Sequence, residues 1–343
     1  MRLNNIKILS PIDAPGEAEK LIEAGADEFY CGLIPEEWNE KYFPASIDRR
    51  PKGSHLKSFE ELREVVNIAH ERNVPVYLTL NEHYYTEKQY PLITEFIRKV
   101  VASGADALIV ADLALLLFMR KNDFGIKIHI STGGTAFNSE TIEFYKDFGA
   151  SRVILPRHLT TEEIRELRKK SPDIELEAFI LNSRCVNVDG FCTFQHGLGG
   201  SSNKLLFRNA CMLPYQVSVL PGGNSSMEAD DVLKQETAIK RQHIWSKCHI
   251  DDSPCGVCAV IDFGEIGLDS IKIVGRGNPT EKKIMDIGFL KSVKEMIENS
   301  GAKRNELKVK MKELYNRTYK RPCRYHMCYY PDVGFEEEVN NEP

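Results

Sequence analysis

Thiols are the side chains of this sequence whose type and spacing most clearly suggest chemistry. The segment RCVNVDGFC, residues 184–192, follows the apolar run 174–181 and places Cys185 and Cys192 around an Asp-Gly turn. Closely spaced cysteines in a reducing compartment are more often metal ligands or redox centres than disulfides. The lone Cys31 suits a small buried hydrophobic residue instead. The other eight of the nine cysteines all lie in the second half of the chain: Cys185, Cys192, Cys211, Cys248, Cys255, Cys258, Cys323 and Cys328.

Three kinds of thiol site fit this pattern to different degrees. An iron–sulfur cluster ranks first, because its ligands can come from distant loops. Zinc ranks second: Cys255 and Cys258 have the spacing of half a zinc site, but Cys185 and Cys192 are too far apart to form the other half. A nucleophilic cysteine ranks third, because His196 is the one histidine close to the pair and nothing else completes a triad.

The elements that must position these thiols are indicated by short apolar runs that alternate with amphipathic stretches. Continuous apolar runs are typical of parallel strands buried on both faces. Three joints, at 24–30, 103–109 and 148–154, place a glycine at a helix end just before a strand, and a fourth copy lies at 266–274. We therefore expect eight strands: 6–9, 28–31, 76–80, 107–110, 126–130, 152–155, 176–181 and one within 266–274.

Eight such strands predict an α/β fold, a (β/α)₈ TIM-like barrel over residues 1–300. A doubly wound open sheet is the alternative, but no glycine-rich dinucleotide motif follows the first strand. Residues 196–257 interrupt the pattern after strand seven, and we expect them to form a cysteine-containing lid over the barrel mouth. Residues 301–343 form a small C-terminal extension with a basic stretch, a cysteine pair and an acidic tail.

Polar residues follow several of the predicted strands, and the carboxyl ends of strands carry the chemistry in such barrels. Three cations near these strand ends, Arg157, Lys272 and Arg276, could hold a carboxylate or phosphate, or they could neutralise acidic side chains of the barrel rim itself. By contrast, Asp112 is expected to cap the helix at 113–120, and His129 to be a packed strand residue. The candidate catalytic residues are Asn81, Ser131, Arg157, Lys272 and Arg276.

Composition limits the possible function classes. The chain has 343 residues, of which 42% are apolar and 28% charged, and its net charge of −5 argues against nucleic-acid affinity over the whole surface. Residues 303–324 nevertheless hold nine Lys and Arg against two Glu, which suits anion contact, although such faces are usually only solvated. No apolar run approaches the ~18–20 residues that span a bilayer, and MRLNNIKILS lacks a secretory core. We expect a cytoplasmic protein without membrane contact.

The segment ELEAFILNSRCVNVDGFC, residues 175–192, resembles the signature of the collagenase-like peptidases, peptidase family U32. The matching positions are Glu177, Phe179, Ser183, Cys185, Gly190 and Cys192. Asn182 replaces a family glycine, Arg184 an apolar residue and Gln195 a serine. The similarity continues at 74–81, 127–140, 149–164, 211–215 and 258–276, with Gly133 where the family usually has Gln and His158 where it has an acid.

The resemblance implies a four-iron four-sulfur cluster that assists oxygen-independent hydroxylation of RNA bases or of the ubiquinone ring. Carried over position by position, its ligands are Cys185, Cys192, Cys211 and Cys258. The chain would then be an iron–sulfur enzyme that modifies a small molecule or RNA at the barrel mouth. The alternatives are a metal-dependent or cysteine peptidase, and a non-catalytic subunit that carries a cluster beside a homologous partner or as a homodimer.

Four cysteines remain once these ligands are assigned: Cys248, Cys255, Cys323 and Cys328. If the C-terminal segment folds back over the lid, these thiols could bind zinc or a second cluster. The alternative is two buried thiols and two incidental ones.

Overall fold

The eight predicted strands form a closed parallel barrel, so the predicted TIM-like fold is confirmed. The computed structural model describes residues 6–42, 46–50, 53–182, 185, 187–192 and 254–335. The strands are β1 Lys7–Pro11, β2 Glu28–Cys31, β3 Val76–Leu80, β4 Ala107–Val110, β5 Lys127–Ile130, β6 Ala150–Ile154, β7 Glu175–Leu181 and β8 Ser270–Ile273.

The strands lie where continuous apolar runs predict them. Every residue of β2, β3 and β4 is buried, and the bounds of these strands match the predicted ones. β6 begins two residues before the predicted position, at Ala150. The glycines of the four repeated joints all have positive φ, as left-handed caps before a strand require: Gly25, Gly104, Gly149 and Gly267.

Helices between the strands form the outer layer. They are α1 Ala18–Ala24, α2 Glu36–Lys41, α3 Phe59–His70, α4 Tyr90–Ala102, α5 Leu113–Asn122, α6 Ser139–Asp147, α7 Thr161–Lys170, α8 Val260–Ile266, α9 Thr280–Asn299, α10 Arg304–Tyr319 and α11 Pro331–Gly334. Asp112 caps α5 as predicted, since its carboxylate accepts a hydrogen bond from the Ala114 N–H at 3.0 Å. The sequence predicts no helix between β2 and α3, and α2 is an addition.

The C-terminal segment packs onto the barrel. Rings of Tyr315 and Tyr319 on α10 lie against Phe289 on α9, at centroid distances of 6.2 and 5.3 Å. Further along, the Tyr330 hydroxyl donates to the carbonyl of Phe179 in β7 at 2.9 Å. The segment thus contacts both α9 and the carboxyl-terminal half of β7. The predicted lid lies almost entirely outside the described residues, and its role stays a prediction, as does the division into 1–300 and 301–343.

Candidate functional site at the barrel mouth

Buried charges fill much of the barrel interior, where most TIM barrels pack apolar side chains. Arg152 on β6 donates to Glu28 on β2 through two nitrogens, both at 2.8 Å, and to Glu177 on β7 at 3.2 Å. The hydroxyls of Tyr77 and Ser270 also donate to Glu28, each at 2.8 Å. Burial alone would raise the pKa of Glu28, but the hydrogen bonds and charge of Arg152 outweigh it and lower that pKa to about 2. The carboxylate therefore stays ionised inside the fold.

Lys272 on β8 continues this network towards the mouth. Its ammonium donates to Glu177 at 2.8 Å and lies 4.2 Å from the centre of the Tyr30 ring. Burial lowers the pKa of Lys272, and the neighbouring Glu177 only partly offsets this. His129 is buried beside the network with its ring edge-on to Tyr77 at 4.5 Å. Burial lowers the pKa of His129 well below its usual value, so this histidine is neutral.

Arg276 lies at the mouth and is also paired. It donates to the carboxylate of Asp48 at 2.5 Å and to the Thr79 hydroxyl at 2.7 Å, while His55 binds the same carboxylate at 2.8 Å. A β-carbon on Gly32 would lie 2.1 Å from the Arg276 guanidinium and 2.3 Å from the Asp48 carboxylate. This pair can form only because residue 32 has no side chain.

Arg157, after β6, fixes the loop that carries the signature cysteines. Its backbone N–H and its guanidinium donate to the two carboxylate oxygens of Asp189, at 2.8 and 2.7 Å. The guanidinium also lies 3.9 Å from the centre of the Phe179 ring. All three predicted cations therefore have an acidic partner, which favours the interpretation that they neutralise acids of the rim.

The mouth contains further polar groups. Asn81 and Ser131 come together as the barrel predicts: the Asn81 amide donates to the Ser131 hydroxyl at 3.2 Å, while its own carbonyl oxygen is buried without a partner. Arg50, which sequence reasoning missed, is half-buried here, and burial together with repulsion from Arg276 lowers its pKa to about 10. The mouth thus combines a local positive charge with an unused hydrogen-bond acceptor.

The signature thiols Cys185 and Cys192 lie close together at this mouth. The Asn187 amide donates to the Cys192 sulfur at 3.9 Å. Burial raises the pKa of the Cys185 thiol, and the Arg157 charge works in the opposite direction. Cys211 and Cys248 lie outside the described residues, as do Ser183, Arg184 and Gln195.

A second group of thiols forms at the carboxyl end of β7, where Cys255 bridges Leu181. The backbone of Cys255 pairs with Cys328: its N–H donates to the Met327 carbonyl and its own carbonyl accepts from the Tyr329 N–H, both at 3.0 Å. Burial, followed by the proximity of Cys258, Cys328 and Cys323, raises the pKa of Cys255 well above its usual value. The structure thus brings three of the four remaining cysteines together, and adds Cys258.

This second group of thiols contains one cysteine of the predicted cluster ligands, Cys258, and three cysteines of the predicted second metal site. The structure tests neither prediction. Burial and the neighbouring Cys323 raise the pKa of Cys258 to about 11, so Cys258 lies with the second group of thiols. Within the described ranges, no group of three or more His, Cys, Asp or Glu side chains has an arrangement that could hold a metal ion. Cys31 stands apart, fully buried, with a pKa raised to about 12 by that burial.

Comparison with known proteins identifies the family. The model of peptidase family U32 matches residues 15–333. The chain belongs to this family. The predicted resemblance of the signature segment to this family is therefore confirmed.

Curated U32 relatives carry different names. The chain is 34% identical over 199 residues to an uncharacterized protease of Methanocaldococcus jannaschii, which covers 57% of this chain and 45% of that protein. It is 33% identical over 159 residues to tRNA hydroxylation protein P of Escherichia coli, covering 46% and 35%. It is 25% identical over 228 residues to a collagenase of Porphyromonas gingivalis, covering 63% and 51%. The chain spans about half or less of the length of these three relatives.

Two U32 signature positions have a conformational explanation. Gly190 has φ +87°, and a β-carbon there would lie 2.0 Å from the Thr135 methyl and 3.0 Å from the Gly133 carbonyl oxygen. Asn182, in place of the family glycine, has φ +64°. Asparagine is one of the few residues that tolerate this left-handed region. Its amide also donates to the Val274 carbonyl at 3.0 Å and to Asp286 at 2.8 Å, so the departure preserves the local backbone.

No helix among the described residues of this U32 chain is long and apolar enough to cross a membrane.

Proposed function

We propose that this chain is an iron–sulfur enzyme that takes part in the oxygen-independent hydroxylation of an RNA base at the barrel mouth. The observation that carries the proposal is the Cys185–Cys192 pair beside the Arg157 guanidinium, at the carboxyl end of β7. The similarity to proteins named for tRNA hydroxylation supports RNA as the substrate. An RNA substrate also agrees with the cytoplasmic location that the sequence predicts.

Cys185, Cys192, Cys211 and Cys258 would hold a four-iron four-sulfur cluster, as the family resemblance implies. When bound, the cluster would supply a redox centre at which an oxygen donor can be activated. Two of the described thiols fit this role, since Cys185 and Cys192 lie close together and the charge of Arg157 opposes the effect of burial on the pKa of Cys185. The Cys258 thiol, which lies beside Cys323, would be the third described ligand.

The residues of the mouth can orient a base without the cluster. The unpartnered carbonyl oxygen of Asn81 is an acceptor for an amino group of a base, and Ser131 holds the Asn81 amide in place. Arg50 provides positive charge near the path of a phosphate backbone. Arg157, through Asp189, keeps the cysteine loop at the same rim.

Hydrolysis of peptides is the competing function, because two of the relatives are named a protease and a collagenase. A cysteine peptidase needs its nucleophile as a thiolate. Burial raises the pKa of the Cys185 thiol, which is the reverse of that requirement. The Cys185 thiol lies beside a second thiol, Cys192, which is the arrangement of a ligand pair rather than of a nucleophile with its base.

Two measurements test the proposal. The protein and its Cys185→Ser variant are purified without oxygen and assayed for iron and acid-labile sulfide, with Cys31→Ala, in β2, as the matched cysteine control. We expect the parent and the control to contain both elements and the Cys185→Ser variant to lose them. Nucleosides of RNA from a deletion strain are then compared by mass spectrometry with those from strains complemented with each variant.

The possible outcomes separate the functions. A hydroxylated nucleoside that disappears on deletion and returns only with the cysteine-intact proteins supports the proposal. An iron-free protein that still cleaves peptides would establish the peptidase instead. An iron-containing protein whose deletion leaves every RNA nucleoside unchanged would reject RNA hydroxylation and favour a small-molecule substrate or a non-catalytic subunit.

A further inference from the structure

Two aromatic side chains stand in solvent at the barrel mouth. Tyr84, in the loop after β3, is 71% exposed, and Phe191, in the loop after β7, is 66% exposed. They are the most exposed large apolar side chains of the described residues. Both follow the carboxyl end of a strand, so both lie on the face of the barrel that carries the signature cysteines. Phe191 is the immediate neighbour of Cys192.

The two loops meet over the mouth through Gly133. A β-carbon on Gly133 would lie 3.0 Å from the His83 ring, and one on Gly190 would lie 3.0 Å from the Gly133 carbonyl oxygen. His83 precedes Tyr84 and Gly190 precedes Phe191. The neighbours of the two exposed rings are therefore linked to each other through Gly133. The family's usual glutamine at position 133 would not fit between these loops as they stand.

The backbone beneath each ring is held firmly. The Tyr85 hydroxyl donates to the Ile47 carbonyl at 2.6 Å and its N–H donates to Asp112 at 3.2 Å, which fixes the residue after Tyr84. The Phe191 N–H donates to the Val188 carbonyl at 3.0 Å in the loop that Arg157 anchors through Asp189. Both rings are mostly exposed, while the backbone that carries each of them is held by hydrogen bonds.

Flat apolar faces beside positive charge match the chemistry of an unpaired nucleotide. Bases splayed out of a loop stack on aromatic side chains, while cations contact the backbone. The half-buried Arg50 supplies positive charge at the same mouth. His83, the neighbour of Tyr84 in the chain, is uncharged at neutral pH, since burial lowers its pKa to about 4.

We propose that Tyr84 and Phe191 form a stacking platform that holds unpaired bases of the RNA substrate over the thiol pair. This inference rests on the proposed function and adds positioning residues to it. The rings would hold bases next to the target in the loop, so that the target base enters the mouth near Asn81 and Cys192. Stacking is tolerant of sequence because every base has a π face.

The test uses an RNA hairpin whose single-stranded loop carries 2-aminopurine, a base whose fluorescence is quenched on stacking. Binding and quenching are measured for the full-length parent protein, Tyr84→Ala and Phe191→Ala. Tyr84→Phe and Phe191→Tyr keep the ring, and Phe144→Ala removes an exposed ring from α6 on the outer surface. Removal of a stacking ring costs about 1–3 kcal/mol per base, so we expect each alanine variant at the mouth to bind roughly tenfold more weakly, without the quenching.

A stacking role also predicts results that a purely structural role of the two rings would not. Tyr84→Phe, Phe191→Tyr and Phe144→Ala should bind and quench as the parent does. The dependence of affinity on salt should be the same in all variants, because no phosphate contact is removed. Unfolding midpoints should also be unchanged, because the two rings at the mouth are exposed.

The outcomes distinguish this inference from the proposed function. If the parent binds the hairpin and the alanine variants bind and quench equally well, the platform is refuted and the proposed function is untouched. If the parent binds neither the hairpin nor unmodified tRNA, both are refuted. Loss of binding together with a lowered unfolding midpoint in Tyr84→Phe would show that Tyr84 supports the fold, and would also refute the platform.

Discussion

The ionised Glu28 inside the barrel makes a quantitative prediction for Glu28→Gln. Arg152, Tyr77 and Ser270 donate four hydrogen bonds to this carboxylate, and its pKa is lowered from 4.5 to about 2. Since one pKa unit corresponds to about 1.4 kcal/mol, the ionised form contributes roughly 3 kcal/mol to the free energy of unfolding at neutral pH. Glutamine keeps the shape but not the charge, so we expect a loss of about that size.

The pH dependence follows from the direction of the change. A carboxylate whose pKa is lower in the folded state stabilises the fold above its ordinary pKa, and this contribution is lost as pH falls through the folded value. For Glu28 the interval runs from pH 4.5 down to about 2. The free energy of unfolding of the parent should therefore fall more steeply across this interval than that of Glu28→Gln.

Urea unfolding followed by circular dichroism, at neutral pH and across the acidic interval, measures both effects. Glu23→Gln, an exposed position on α1, is the matched control and should change the free energy of unfolding by less than about 0.5 kcal/mol. The reasoning is refuted if Glu28→Gln is as stable as the parent at neutral pH. It is equally refuted if the two proteins lose stability in parallel as the pH falls.

Three further predictions concern the rim and the thiols. Gly32→Ala drives a methyl group into a buried guanidinium–carboxylate pair and should cost about 2 kcal/mol; a thermal melt equal to that of the parent would show that the pair can move aside. Cys258→Ser should abolish the visible absorbance of a thiolate-ligated cluster, whereas Cys255→Ser should retain most of it; the reverse would make Cys255 the ligand. If the second thiol group binds zinc or a cluster, the double variant Cys323→Ser, Cys328→Ser lowers the zinc or iron content per chain; an unchanged content identifies these residues as packed thiols.

The fold was predictable because each barrel strand carries its own local signal. A strand that is buried on both faces has a continuous apolar sequence. The observed bounds of β2, β3 and β4 therefore match the predicted ones. The helix α2 lacks such a signal. It has six residues, EEWNEK, of which only Trp38 is buried, so no apolar stripe repeats along it.

The charged interior was not predicted, because the partners lie far apart in sequence. Arg152 and Glu28 are 124 residues apart, and Arg276 and Asp48 are 228 apart. A local signal was present nonetheless: Glu28 and Arg152 each lie within a predicted apolar strand, and an ionisable residue buried there requires a partner. That requirement predicts that such residues pair with one another, but only the closed barrel determines which ones.

Asn182 shows how the C-terminal segment and the signature loop depend on each other. Its left-handed backbone turns the chain out of β7 towards Cys185, its N–H donates to the Pro254 carbonyl at 2.9 Å, and its carbonyl accepts from the Tyr329 hydroxyl. The Tyr329 N–H in turn donates to the Cys255 carbonyl. One residue therefore joins the start of the loop bearing the Cys185–Cys192 pair to both segments of the second thiol group. These hydrogen bonds therefore couple the start of the signature loop to the position of the second thiol group.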